Sequence, residues 1–283
     1  MRVRNKAGIR PSEVRRLWIS RVLIWLAIVL TLFPALWIIM SSFSLGDSFF
    51  LSNLLPEKWS LQHYSDLFQK TDFTIWVANS LKMCFSVAII QLVLTSLSAY
   101  AFSRLRFTGR KYGLMSLLVL QVFPSSMAVA GYYIIIYKFA LVDNLIVLIF
   151  ALAGGSAFNI WLLKSYIDSI PRELDEAAMV DGASEFTVFQ KIILPLAMPQ
   201  LVVIFLFSFI ATYSEYIITS IFLQTPEKMT LALGLQSFIT NQFAAHWTLF
   251  SAAAVLSSVP IMVVFMVLQK YIQNGLLAGG VKG

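Results

Sequence analysis

Side chains able to do acid, base, nucleophilic or metal chemistry are sparse in this sequence: 14 Asp and Glu, two His and a single Cys in 283 residues. A hydrolytic or transfer site needs a nucleophile, a base and an orienting partner that converge. A metal site needs several ligands at close spacing. His63 and His246 stand in separate polar stretches without clustered Cys, a spacing that does not point to a metal site. Cys84 lies in an apolar run, where it reads as a small buried hydrophobe, and one cysteine excludes an intrachain disulfide. The phosphate-cradling pattern Gly-x4-Gly-Lys-[Ser/Thr] does not occur, so any use of nucleotide energy has to be borrowed from a partner. We assign no catalytic residue and expect no cofactor or metal on this chain.

The carboxylates are not evenly spread. Five of them (Glu173, Asp175, Glu176, Asp181, Glu185) fall within 172–191, against two bases, Arg172 and Lys191. Pro171 suits a first helical turn, and the acids after it suit the positive end of a helix dipole, so a short helix is expected to run to about Val180. Asp181-Gly182 breaks it, because glycine takes up positive φ at little cost. Asp181 or Ser184 can cap a second helix, in which Phe186, Phe189 and Ile193, beside Val188 and Ile192, recur at three- and four-residue spacing. Pro195 is expected to stop this helix and Pro199 to open the next apolar run. Helices that lie on a lipid surface carry Lys and Arg toward anionic headgroups. An acidic helix with an apolar stripe fits a groove on another protein better.

Around this loop the chain is greasy: 59% hydrophobic and 12% charged. Roughly 20 apolar residues cross a hydrocarbon core of about 30 Å, and the runs 18–43, 80–102, 113–137, 142–163, 198–222 and 248–272 meet that length. The expected fold is all-α, a polytopic membrane bundle of about six transmembrane helices. The first run is too long for a signal-peptide core and lacks a small-x-small cleavage site. Residues 1–17 form a basic N-terminal segment, 18–274 the transmembrane domain with the loop 171–195 within it, and 275–283 a glycine-rich tail. With both termini in the cytoplasm, 16 of the 21 Lys and Arg fall on the cytoplasmic side. That asymmetry orients the chain and accounts for its net charge of +7 without nucleic acid.

Away from the span ends (Asp143 stands at the very start of 142–163), Glu215 is the one carboxylate in the spans, and burying it costs about 2.5–3.5 kcal/mol. It reads either as a hydrogen-bond acceptor beside a substrate pathway or as one half of a structural pair, with Lys82 a possible partner. Gln121 and Pro124 in the third run mark either a bend that exposes carbonyls to a water-filled path or plain curvature. Gly154-Gly155 permits close helix approach. Trp59 and Trp76, in the polar stretch 44–78, fit interfacial anchors, and 224–247 reads as an ordinary outer connector.

Glu176-Ala177-Ala178, three residues, Gly182, nine residues, Ile192-Ile193-Leu194-Pro195 is similar to the "EAA" motif of ABC importer permeases, internal spacing included. Ser208-Phe209-Ile210-Ala211, Thr230-Leu231-Ala232 and the ending from Asn274 to Gly283 resemble the G-type permeases of maltose and maltodextrin importers, within the carbohydrate class. The resemblance runs from about residue 15 to the end. It implies a bacterial inner-membrane subunit paired with a second, F-type permease, on two ATPase subunits that bind ATP and Mg, and fed by an extracytoplasmic sugar-binding protein. It further implies that Glu176, Ala177, Ala178, Gly182, Phe186, Phe189, Ile192, Leu194 and Pro195 couple to the ATPase, with Gly182 as a corner and the two phenylalanines as anchors. In the resembling family the 224–247 loop contacts the binding protein and the tail inserts between the ATPase subunits. The competing reading is an ion-coupled secondary transporter or channel, which would have to rest on Glu215.

Overall fold

The computed structural model describes residues 11–46, 55–123, 125–154, 156–240 and 246–280, the side chains of 11–13, 125–126 and 272–280 apart. Apolar sequence in lipid must satisfy its backbone hydrogen bonds internally, which helices do. Among the described residues there is accordingly no strand beyond an isolated bridge between Ser44 and Trp59.

Three helices are long and apolar enough to cross a membrane unbroken. They are α1 (Pro11–Ser42), α3 (Phe73–Arg104) and α14 (Trp247–Gly280), with α2 (Gln62–Lys70) lying between the first two. Two bent helix pairs are further spans if each pair is taken as one. Helix α6 (Leu145–Ala153) meets α7 (Ala157–Asp168) at 50°. The loop helix α9 (Glu185–Val188) continues through a π turn (Phe189–Ile193) and α10 (Leu194–Leu196), then meets α11 (Met198–Tyr213) at 77°. The expected span 113–137 is not one helix but α4 (Arg110–Leu120), a 3-10 turn (Ser125–Ala128) and α5 (Val129–Lys138). Helix α8 (Glu173–Val180), α12 (Thr219–Phe222) and α13 (Leu231–Ser237) complete the order.

Helix α3 is the central post, packed against α11, α7, α6 and α13, while α1 lies against α14. Small hydroxyl residues fill these contacts. Ser96, Ser251 and Ser257 are buried, and each returns its hydroxyl to a carbonyl of its own preceding turn. Such side chains let backbones approach without leaving a polar group orphaned. Nearly all of α1's apolar surface stays uncovered by the rest of the chain, as a lipid-facing or partner-facing helix requires.

Three expectations are corrected here. Helix α3 begins at Phe73, well before residue 80, because its first turns lie against the segment 226–231. Trp76 donates its indole N–H to Pro226 O at 3.0 Å, Asn79 donates to the carbonyls of Glu227 and Met229, and Ser80 accepts the Leu231 amide at 2.7 Å. Trp76 is therefore buried rather than an interfacial anchor, and it rests on Gly234, where an added Cβ would meet its ring at 2.2 Å. Trp59 remains exposed. The run 198–222 is not one helix either, since α11 ends at Tyr213.

Candidate functional site

The loop between α7 and α11 folds through local chemistry. Helix α8 ends in a Schellman turn: the Gly182 amide donates to Met179 O and the Ala183 amide to Ala178 O, with Gly182 at φ +88°. Ser184, rather than Asp181, caps α9, its hydroxyl accepting the Thr187 amide. Pro195 does not stop the helix. A proline removes the bond to the carbonyl four residues back and crowds it. The π turn at 189–193 widens the helix just before Pro195, so that the Leu194 amide reaches Phe189 O and the chain stays helical to Leu196. Pro199 opens α11 as expected.

Inward and outward faces of the loop differ sharply. Val188, Phe189 and Ile193 are buried in a core shared with Tyr100, Leu163, Ile167 and Ile204, and Ile192 and Leu194 pack half-buried on it. The Phe189 ring lies 5.0 Å from that of Tyr100, whose hydroxyl donates to Glu185 O. Phe189 is thus an internal pin, which removes it as an anchor for another protein. Phe186, 65% exposed, faces outward together with Leu174, Met179 and Val180, ringed by exposed Glu173, Glu176, Asp181 and Glu185. Ala177 and Pro195 are exposed and Ala178 is half-buried.

Sequence reasoning missed what holds α8. Asp175 pairs with Arg104, the last residue of α3, at 2.6 Å, with both side chains more than nine-tenths buried. Arg104 also donates to Ile170 O, and Arg172 donates to Ser103 O. The Ser103 hydroxyl donates to Asp168, which pairs with Lys164. Asp175 had been read only as a helix-dipole acid, and its partner lies too far along the chain for any local pattern to expose.

The pathway candidates are separated. At the end of α4 the exposed Gln121 accepts the Phe158 amide at 2.9 Å and donates to the Ser156 hydroxyl at 3.2 Å, tying one helix break to the α6–α7 break. Close by, Gln91 of α3 donates to Leu152 O. Pro124 lies outside the described residues. Glu215 touches neither Gln121 nor Lys82. Its carboxylate accepts the amides of Ile218 and Thr219, both at 2.8 Å, and the Thr219 hydroxyl at 2.6 Å. It caps α12 and so ends α11. That is why the apolar run breaks there and how the carboxylate is solvated inside it.

At the far end of the molecule Asp143, at φ +57°, clasps the segment after α12. Its amide donates to Phe222 O, and its carboxylate accepts the amides of Gln224 and Thr225 and the Thr225 hydroxyl. Burial alone pushes the carboxyl up, but the Thr225 hydroxyl and amide, the Gln224 amide and the Lys228 charge outweigh it and hold it below the usual carboxylate range.

Residues 7–277 match the family model described as the binding-protein-dependent transport system inner membrane component. The chain is 38% identical over 256 residues to the maltodextrin transport system permease protein MdxG of Bacillus subtilis (strain 168), covering 90% of this chain and 92% of that one. It is 36% identical over 281 residues to the galactooligosaccharides transport system permease protein GanQ of the same organism, covering 98% and 99%. Among solved structures, a chain from the crystal structure of a bacterial ABC transporter involved in the import of the acidic polysaccharide alginate superposes with a TM-score of 0.79 at 25% identity, covering 94% of this chain and 99% of that one. A bent-span helical bundle with an acidic two-helix loop, matched over this length, belongs to the family of binding-protein-dependent transport system inner membrane components.

Proposed function

We propose that this chain is the sugar-conducting permease subunit of an ABC importer, and that the loop 171–195 is the surface on which partner ATPase subunits act. One observation carries the reading: the loop is pinned to the bundle by Phe189, Ile193 and Asp175, yet turns Leu174, Met179, Val180 and Phe186 outward. Exposed apolar side chains ringed by acids fit a cleft with an apolar floor and a basic rim. The loop end is the basic, cytoplasmic end, in line with the Lys and Arg asymmetry.

In this reading ATP and Mg sit on two ATPase subunits, a second permease completes the pathway, and a binding protein delivers substrate to the Asp143 end. Closure of the ATPase subunits drags the loops together, the bundle turns outward, and hydrolysis returns it inward. The helices break after Leu120, after Ala153 and after Tyr213, and breaks of this kind inside a membrane bundle are tolerated where they line a cavity, which supports a polar pathway. Glu215, on which ion coupling would depend, has both carboxylate oxygens engaged in capping α12, which favours the driven importer.

The substrate we propose is a neutral oligosaccharide of the maltodextrin class, following the named activities of the relatives. Proteoliposomes containing this chain, its second permease, the ATPase subunits and the binding protein should take up labelled maltotriose only with ATP inside. Uptake by this chain alone on an ion gradient overturns the reading. Uptake of galacto-oligosaccharide but not maltotriose overturns only the choice of sugar.

A further inference from the structure

Helix α8 buries one side chain, and that side chain is a carboxylate, Asp175. Its apolar residues Leu174, Met179 and Val180 are left exposed, so apolar packing does little to attach α8. Helix α9 and the π turn, by contrast, are keyed into the core by Val188, Phe189 and Ile193. The two halves of the loop are therefore attached by different physics, and Gly182 stands between them.

Apart from Ala178, half-buried on the core, the contacts of α8 with the bundle are polar and converge on the last turn of α3. Arg104 reaches both the Asp175 carboxylate and Ile170 O, and Arg172 reaches Ser103 O. From the other side Arg110 donates to the carbonyls of Phe102 and Ser103, so this helix end is held by guanidinium groups from two directions. A buried ion pair contributes little net stability against an apolar pair of equal size, but this one is short and costly to break on one side. Those properties suit the transmission of force better than adhesion.

We propose that the Arg104–Asp175 pair is a latch that fixes α8 to the end of α3, so that displacement of α8 by a partner is delivered to α3 and, through its contacts, to α11, α7 and α6. Arg104 and Asp175 act as positioning residues. The proposal rests on the loop being the ATPase-facing surface.

The test uses the assembled importer in proteoliposomes. Spin labels at Ala177 and Arg106, both exposed, in labelled complexes that retain ATP-driven uptake, read the separation of α8 from the α3 end. In the otherwise unmodified chain this separation stays the same through the nucleotide cycle, and in Asp175→Asn it varies with nucleotide. Sugar moved per ATP hydrolysed falls in Asp175→Asn by about fivefold or more, the lower end of a usual coupling free energy. The exchange Arg104→Asp with Asp175→Arg restores at least about half of that ratio on the same scale. A separation that changes with nucleotide in the otherwise unmodified chain overturns the latch. So does a wild-type ratio in Asp175→Asn, or an exchange that assembles without restoring coupling. If the unmodified complex shows no ATP-driven uptake, it is the importer assignment that fails instead.

Discussion

Phe186 and Phe189 lie three residues apart on one loop, and the structure exposes the first and buries the second. Phe189→Ala empties a core site and should cost about 3–5 kcal/mol, seen as loss of folded protein in detergent. Phe186→Ala should leave the thermal midpoint of the purified chain unchanged and weaken ATPase binding by about tenfold or more, the scale of an exposed aromatic anchor. At Gly182 nothing lies within 4 Å of a built Cβ, so Gly182→Leu meets no clash. Its cost is backbone strain at φ +88°, about 1–2 kcal/mol. The expected result is ATP hydrolysis that continues with impaired uptake, and normal sugar-stimulated uptake would remove Gly182 as the corner. Gly234→Ala is the opposite case, since Trp76 occupies the space, and it should lower the stability of the α3–α13 contact.

At the scale of elements, the loop helices were legible because their determinants are local. Pro171, Gly182 and Ser184 each act within a turn of where they stand, and the structure places α8 and the cap of α9 accordingly. The break after α11 was hidden. Hydropathy carried one run from 198 to 222 because Ser214 and Glu215 are outnumbered by apolar neighbours, although a carboxylate that can cap the next turn ends a helix regardless of them. The Arg104–Asp175 pair was invisible because nothing local ties residues so far apart. Asp143 carries a prediction of its own kind. A carboxyl held below its ordinary value contributes its hydrogen bonds fully above about pH 4, and loses them as pH falls through the lowered value. Amide exchange at Gln224 and Thr225, taken relative to the intrinsic rate at each pH, should therefore stay slow at neutral pH and quicken only in acid. In Asp143→Ala it should be fast throughout, and equal protection in both proteins would deny Asp143 this role.

For the whole molecule, orientation is the property most open to a direct test. The one native cysteine, Cys84, is buried, so introduced thiols report without interference. A membrane-impermeant maleimide applied to intact cells should label Glu227→Cys and spare Thr108→Cys, and the reverse pattern would invert every assignment of side made above. The π turn before Pro195 has a consequence at this scale as well. A π turn carries one residue more than an α turn, and each α-helical residue turns the chain by about 100°. Were the same residues wound as a regular α-helix, the extra one would swing everything on the N-terminal side about 100° around the axis. Phe186 would then leave its compass bearing while the membrane bundle stayed as it was. One residue of winding thus sets the direction in which the loop presents Phe186 to whatever it meets.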